Sequence, residues 1–112
     1  MKAKSHSVKA GILEGIRVLD LSRMLSGPYA TMMLADHGAE VIKIETAEGD
    51  SSRRSGPFNI DDTERNWSGY FVSLNRNKKS ISLNLKKADD LAFFKKLIEK
   101  SLCLPSSSSL TL

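Results

Sequence analysis

The sequence has little cysteine, histidine, proline or aromatic content. Its 112 residues hold one cysteine, two histidines, three prolines and 6% aromatic residues. A lone cysteine, Cys103, excludes an internal disulfide and a cysteine-cluster zinc site. His6 and His37 are far apart in the chain and supply no convergent ligand set, so no metal is expected. No run of about 18 apolar residues occurs, which argues against a membrane span. The start, MKAKSHSVKAGIL, is basic but lacks the apolar stretch of a secretory signal. Lys2, Lys4, Lys9 and the serines leave room for a weak organellar presequence. The expectation is instead a solvated tail and a reducing, cytoplasmic compartment. A strong charge of one sign is also missing: the net charge is +4, with 27% charged residues of both signs. That balance permits an anionic partner without naming one. The GxGxxG fingerprint is absent, so a nicotinamide-dinucleotide reading is rejected.

What is present begins at Gly15–Glu45, GIRVLDLSRMLSGPYATMMLADHGAEVIKIE. Ile16–Leu21 offers Ile16, Val18, Leu19 and Leu21, the pattern of a strand covered on both faces, with Asp20 near its carboxyl end. Gly27-Pro28 marks a helix start, because proline at the first helical position loses no needed N–H. From Tyr29 to His37 the apolar residues fall at Ala30, Met33 and Leu34. Gly38 suits the left-handed residue after the helix. Val41, Ile42 and Ile44 then give a second strand at Glu40–Glu45. A parallel strand pair needs just such a crossover helix.

Thr46–Asn66 is polar, with Gly49, Gly56 and Pro57 among few apolar residues, a surface loop of about twenty residues, a length more often functional or mobile than connective. Trp67, Tyr70, Phe71, Val72 and Leu74 restore apolar content and are expected to anchor the core. Asn75–Ser80, NRNKKS, reads as a polar turn, and Ile81, Leu83 and Leu85 as an alternating strand. Lys86–Lys100 is an amphipathic helix with Leu91, Phe94, Leu97 and Ile98 on its inner side and acidic residues early, basic residues late. A further parallel strand should follow. Leu102–Leu104 is at best a truncated one before Pro105 and four serines. Trp67, Tyr70, Phe71 and Arg76 interleave aromatic and basic groups in the way that stacks bases. The aromatics are better explained by the core, and the lysines of the last helix are offset by Asp89, Asp90 and Glu99, so no nucleic acid is expected. Asp20, Asp36, Glu45 and Asp50 lie in or near turns with no base beside them. They read as caps or pairing partners, and His37 as a helix-end charge.

Taken together, IRVLDLSRMLSGPYATMMLADHGAEVIKIE, the following GD, an arginine pair, GP and FVSLNRNKKSISLNLK closely resemble the amino-terminal segment of the family III coenzyme A transferases. Formyl-CoA transferase, carnitine-CoA transferase and α-methylacyl-CoA racemase belong to that family. The resemblance covers Leu13–Lys100. It implies an incomplete doubly wound (Rossmann-like) parallel-sheet α/β domain that binds coenzyme A, and relatives that interlock as threaded-ring dimers. The transferases move CoA between carboxylic acids through mixed-anhydride and aspartyl-CoA thioester intermediates. Their nucleophile is an aspartate that typically lies beyond this chain's last residue, so no catalytic residue is carried over.

By the same resemblance, Met24, Leu25 and Ser26 match the loop that lines the pantetheine arm and thioester. Leu25 stands where formyl-CoA transferase has a glutamine. Thr46 stands where an arginine meeting the nucleotide is common. Leu83 and Lys86 match positions flanking adenine and phosphate, with Arg76, Lys78 and Lys79 in the basic motif beside them. Arg53 and Arg54 match the arginine region after the Gly-Asp turn. The organisation expected is a disordered basic tail at 1–12, a truncated CoA-binding domain at 13–104 and a Pro/Ser-rich disordered tail at 105–112. LCLPSSSSLTL departs from the family abruptly, as a shifted reading frame, a decayed gene or an alternative transcript end would. The functional expectation is the CoA-binding portion of an enzyme that uses an acyl-CoA and a carboxylic acid, inactive alone. The alternatives are a non-enzymatic assembly or binding fragment, as a homodimer or with a complementary chain, or a racemase-like fragment.

Overall fold

A computed structural model describes residues 11–104. Of the tails expected at 1–12 and 105–112, residues 1–10 and 105–112 lie outside the described residues. Strands β1 (Arg17–Asp20), β2 (Glu40–Glu45), β3 (Lys78–Ser82) and β4 (Leu102–Leu104) form one sheet in the order β3-β2-β1-β4. All three pairings are parallel, with Val18 opposite Val41 and Leu19 opposite Ile42. Helices α1 (Ser26–Asp36), α2 (Gly69–Asn75) and α3 (Ala88–Ile98) make the crossovers. The parallel strand–helix–strand opening expected at 16–45 is present.

Successive strand residues point to opposite faces, and each face has its own core. On one, Val18 and Val41 pack with Ala35 of α1 and Ala39. On the other, Leu19, Ile42 and Ile44 pack with Phe94 of α3, joined by Ile81, Leu83, Leu91 and Leu97. Burying Phe94, 1% exposed, contributes roughly 2 kcal/mol. α1 and α3 therefore lie on opposite faces of the sheet, which is doubly wound.

The structure corrects several local expectations. α1 begins at Ser26, so Pro28 is its third residue; its missing N–H is one of the four that a first turn leaves unpaired anyway. The buried face of α1 is Pro28, Thr31, Met32 and Ala35, whereas Met33 and Leu34 are exposed. Thr31 takes an inward position because its hydroxyl bonds Asp20, which turns the helix away from the face that apolar counting selects. Residues 69–75 form a helix capped by Ser68, whose Oγ accepts the Phe71 N–H at 3.3 Å. Phe71 and Leu74 are buried there, but Trp67 is 67% exposed and anchors nothing. The turn read at 75–80 is confined to Arg76 and Asn77, and Lys78–Ser82 is strand. β4 does form, paired to β1. The long loop contains a 3₁₀ turn at Ser51–Arg54 capped by Asp50.

Candidate functional site

β1 is where the sheet changes direction: β2 and β3 lie to one side of it and β4 to the other. In an open α/β sheet, loops leaving the carboxyl ends of strands diverge at such a point and leave a crevice for ligand. The loop that leaves β1 there carries Met24, Leu25 and Ser26. Met24 and Leu25 are 41% and 55% exposed, a solvent-facing apolar pair beside the first turn of α1. Thr46 follows β2 at the same edge and is exposed. Leu83 follows β3 beside it, its N–H donating to the Glu45 carbonyl at 2.9 Å. Lys86 is exposed, and among the described residues no ion pair engages it.

Beneath this edge, on the face covered by α1 and α2, lies a buried ionic network. Asp20 at the end of β1 accepts from the Ser22 N–H at 2.9 Å, the Thr31 hydroxyl at 2.6 Å and Lys78 Nζ at 3.0 Å, and from the Ser22 hydroxyl. Burial pushes Asp20 up, but the Ser22 and Thr31 hydrogen bonds and the charges of Lys78 and Lys43 outweigh it and hold the carboxyl below its usual range. Lys78 also donates to Pro28 O at 3.0 Å and Asn75 Oδ1 at 2.8 Å. Burial nevertheless pulls its ammonium below the usual lysine value, against the attraction of Asp20. The several donors converging on Asp20 decide for an ionised pair at neutral pH.

Lys43, in the middle of β2, pairs with Asp50 at 3.0 Å, both side chains 1% exposed. Glu45, at the end of β2, accepts two bonds from Arg53 at 2.9 and 2.7 Å, the Asp50 N–H at 2.8 Å and the Ser80 hydroxyl. Burial raises Glu45, yet the Arg53 and Ser80 hydrogen bonds lead a set of donors that bring it down to about 2. Arg53 also stacks on Phe71, 3.8 Å from the ring centre. Arg54 donates to the Glu48 carbonyl. No buried side-chain N or O among the described residues lacks a partner.

The candidate residues therefore fall into two groups. Met24, Leu25, Ser26, Thr46, Leu83 and Lys86 share the carboxyl edge or the turns just beyond it. Arg76 and Lys79 start from the other end of β3, whose five residues span roughly 16 Å. Arg76 binds Asp36 at 2.7 Å and Lys79 binds Glu40 at 2.7 Å. Because Lys78 and Lys79 are neighbours on a strand, their side chains leave opposite faces. Their charged ends are committed to three different carboxylates, Asp36, Asp20 and Glu40, although the three residues border one groove. A groove of about 290 Å³ between α2 and β3 is lined by Arg76, Lys78 and Lys79 with Trp67 and Phe71. Sequence reading missed Lys43, whose signal was available: a lysine amid Val41, Ile42 and Ile44 of an inner parallel strand must be buried and must be paired.

Among the described residues no helix is long and apolar enough to cross a membrane, and no group of three or more His, Cys, Asp or Glu could hold a metal ion.

These features define a class, the doubly wound parallel α/β domain with helices on both faces of its sheet. Residues 13–103 match the family model CoA-transferase family III, and the chain belongs to that family. It is 47% identical over 91 residues to a succinyl-CoA:mesaconate CoA-transferase of Haloarcula marismortui, covering 81% of this chain and 23% of that protein. It is 52% identical over 86 residues to the succinyl-CoA:glutarate CoA-transferase of Mus musculus, covering 76% and 19%. A crystal structure of a CAIB/BAIF family protein from Brucella suis superposes with a TM-score of 0.75 at 34% identity, over 83% of this chain and 25% of that one. The chain spans a quarter or less of the length of these relatives.

Proposed function

We propose that this chain is the coenzyme A-binding portion of a CoA-transferase, which moves CoA between an acyl-CoA and a carboxylic acid. The observation that carries the reading is the position of Met24–Ser26 at the switch point of the sheet, in a chain of this family. Coenzyme A needs an apolar channel for its pantetheine arm and cations for its phosphates. Exposed Met24 and Leu25 suit the arm, with Ser26 beside the thioester. Leu83 and Thr46 offer a surface for the nucleotide, and Lys86 a cation for phosphate. Arg76 and Lys79 would reach phosphate only by exchanging their surface carboxylates, and Lys78 serves the fold.

Transfer chemistry requires a carboxylate that can be acylated by the thioester. At the carboxyl edge Asp20, Glu45 and Asp50 are all buried and paired, so none of the three is free to act as that nucleophile. The 112-residue chain then binds CoA without turning over. Calorimetric titration of the purified chain with CoA, and an exchange assay with succinyl-CoA and labelled glutarate, test both parts. CoA binding that weakens with salt, weakens about threefold or more in Lys86→Ala, and gives no label transfer is expected. Absence of CoA binding at millimolar concentration, or sustained exchange, would overturn the corresponding part.

A second reading, an assembly fragment, is favoured by exposed Tyr29, Met33 and Leu34 on α1 and by Leu102 on the edge strand, 63% exposed. Sedimentation showing a concentration-dependent dimer with no CoA affinity would select it.

A further inference from the structure

Lys43 and Asp50 hold the β1–α1 loop at two points. Lys43 Nζ donates to the carbonyl oxygen of Ser22 at 3.0 Å while pairing with Asp50. Asp50 in turn accepts the Met24 N–H, which lies 3.3 Å from each carboxylate oxygen. Between these points the chain reverses, and Met24 adopts φ +67°, a left-handed conformation that a side chain disfavours. Asp50 is itself fixed: its other acceptor bonds take the Ser52 N–H and hydroxyl, each at 2.9 Å, and its own N–H donates to Glu45 at 2.8 Å. The far side of the loop is closed by α1, where Gly27 approaches Ser22 so nearly that a Cβ would lie 2.1 Å from that side chain. The ion pair thus grips backbone atoms on both sides of Arg23, leaving the Leu25 side chain facing solvent and that of Met24 half-exposed, its Sδ accepting the Ser51 hydroxyl at 2.9 Å.

We infer that Lys43 and Asp50 are positioning residues for the ligand-facing loop. They hold Met24 in its left-handed conformation, and so keep Met24 and Leu25 presented at the crevice, without touching the ligand themselves. A loop ordered before binding has less freedom to lose when ligand arrives. The affinity part rests on the CoA reading above; the conformational part does not.

The test is the full chain carrying Lys43→Met and Asp50→Leu together, an apolar pair that leaves no buried charge without its partner. Nuclear magnetic resonance reports the backbone angle of residue 24 through its Cα and Cβ shifts and its amide–Hα coupling, and titration reports CoA affinity. In the folded variant Met24 is expected to leave the left-handed region, and the CoA dissociation constant to rise about tenfold. A merely structural pair would lower stability and leave the Met24 signature unchanged. That outcome would overturn the inference. In the wild-type chain, which needs no variant to fold, the Met24 amide should exchange about tenfold or more slowly than an unbonded loop amide, and unprotected exchange would also overturn it. If the wild-type chain does not bind CoA, the CoA reading fails, and the resonance measurements alone decide the positioning role.

Discussion

Lys78 and Asp20 meet across the intervening strand β2, Nζ 3.0 Å from Oδ2, with side chains 2% and 0% exposed. The next residue, Lys79, is 69% exposed and pairs with Glu40 at 2.7 Å. Two adjacent lysines thus perform unlike tasks, one locking first and third strands beneath α1, the other lying on the surface.

Their mutations should separate accordingly. Lys78→Met leaves the Asp20 charge buried without its cation and is expected to cost about 3 kcal/mol or more. Adding Asp20→Asn should recover much of that loss. Lys79→Met removes a solvated pair and should cost less than about 1 kcal/mol. Urea denaturation of the four chains measures all three differences.

Acid should destabilise the fold through its carboxylates. Glu45 titrates at about 2 when folded, below its ordinary 4.5, so the unfolded chain takes up the proton first. Its contribution is complete above about pH 4.5 and disappears as pH falls toward 2. Asp20 and Asp50 shift in the same direction and steepen the loss. Glu45 alone should account for roughly 2 kcal/mol once solvent screening is allowed for. Lys78 shifts down, so on the alkaline side the unfolded chain keeps that proton longer. Stability from this group then rises with pH until it has titrated in both states. Urea midpoints measured from pH 2 to 10 should show a steep acid limb, and Arg53→Met should flatten its lower part.

Gly27→Ala should disturb the loop after β1 from the helix side. Its Cβ would sit 2.1 Å from Ser22 Cβ, so either α1 or Ser22 must move, at a cost of about 1–3 kcal/mol. Moving Ser22 also strips hydrogen bonds from Asp20. A lower melting temperature together with weaker CoA binding is the expected pair of results. An unchanged melting temperature would mean that the loop yields more easily than its packing implies.

Thr46→Arg tests the edge from the opposite direction, by gain. Thr46 is exposed, so the substitution should change stability by less than about 0.5 kcal/mol. A guanidinium there should tighten CoA binding about threefold or more through one added charge-assisted contact. Equal affinities for the variant and the parent would place the nucleotide elsewhere.

The first half of this chain was legible as sequence because its signals are local. Val18–Leu19 and Val41–Ile44 are β-branched or leucine-rich runs at strand length, and Gly38, with φ +104°, stops the helix between them. α2 was not legible: seven residues are too few for a helical period to declare itself, and the helix is held by distant partners, Phe71 under the Arg53 guanidinium and the helix as a whole against α1 and the 3₁₀ turn. The inner face of α1 escaped for a related reason. Thr31 turns inward to satisfy Asp20, and apolar counting has no way to register a polar residue that is buried because it is bonded.

The sequence by itself determined the family and the parallel opening unit, since motif spacing and strand patterning need no distant partner to be read. Only the tertiary structure decided what the charges do. Whether Lys43, Lys78 or Lys79 is buried depends on strand register and on which helix covers which face. A shift of one residue along a strand sends the next lysine to the other side of the sheet.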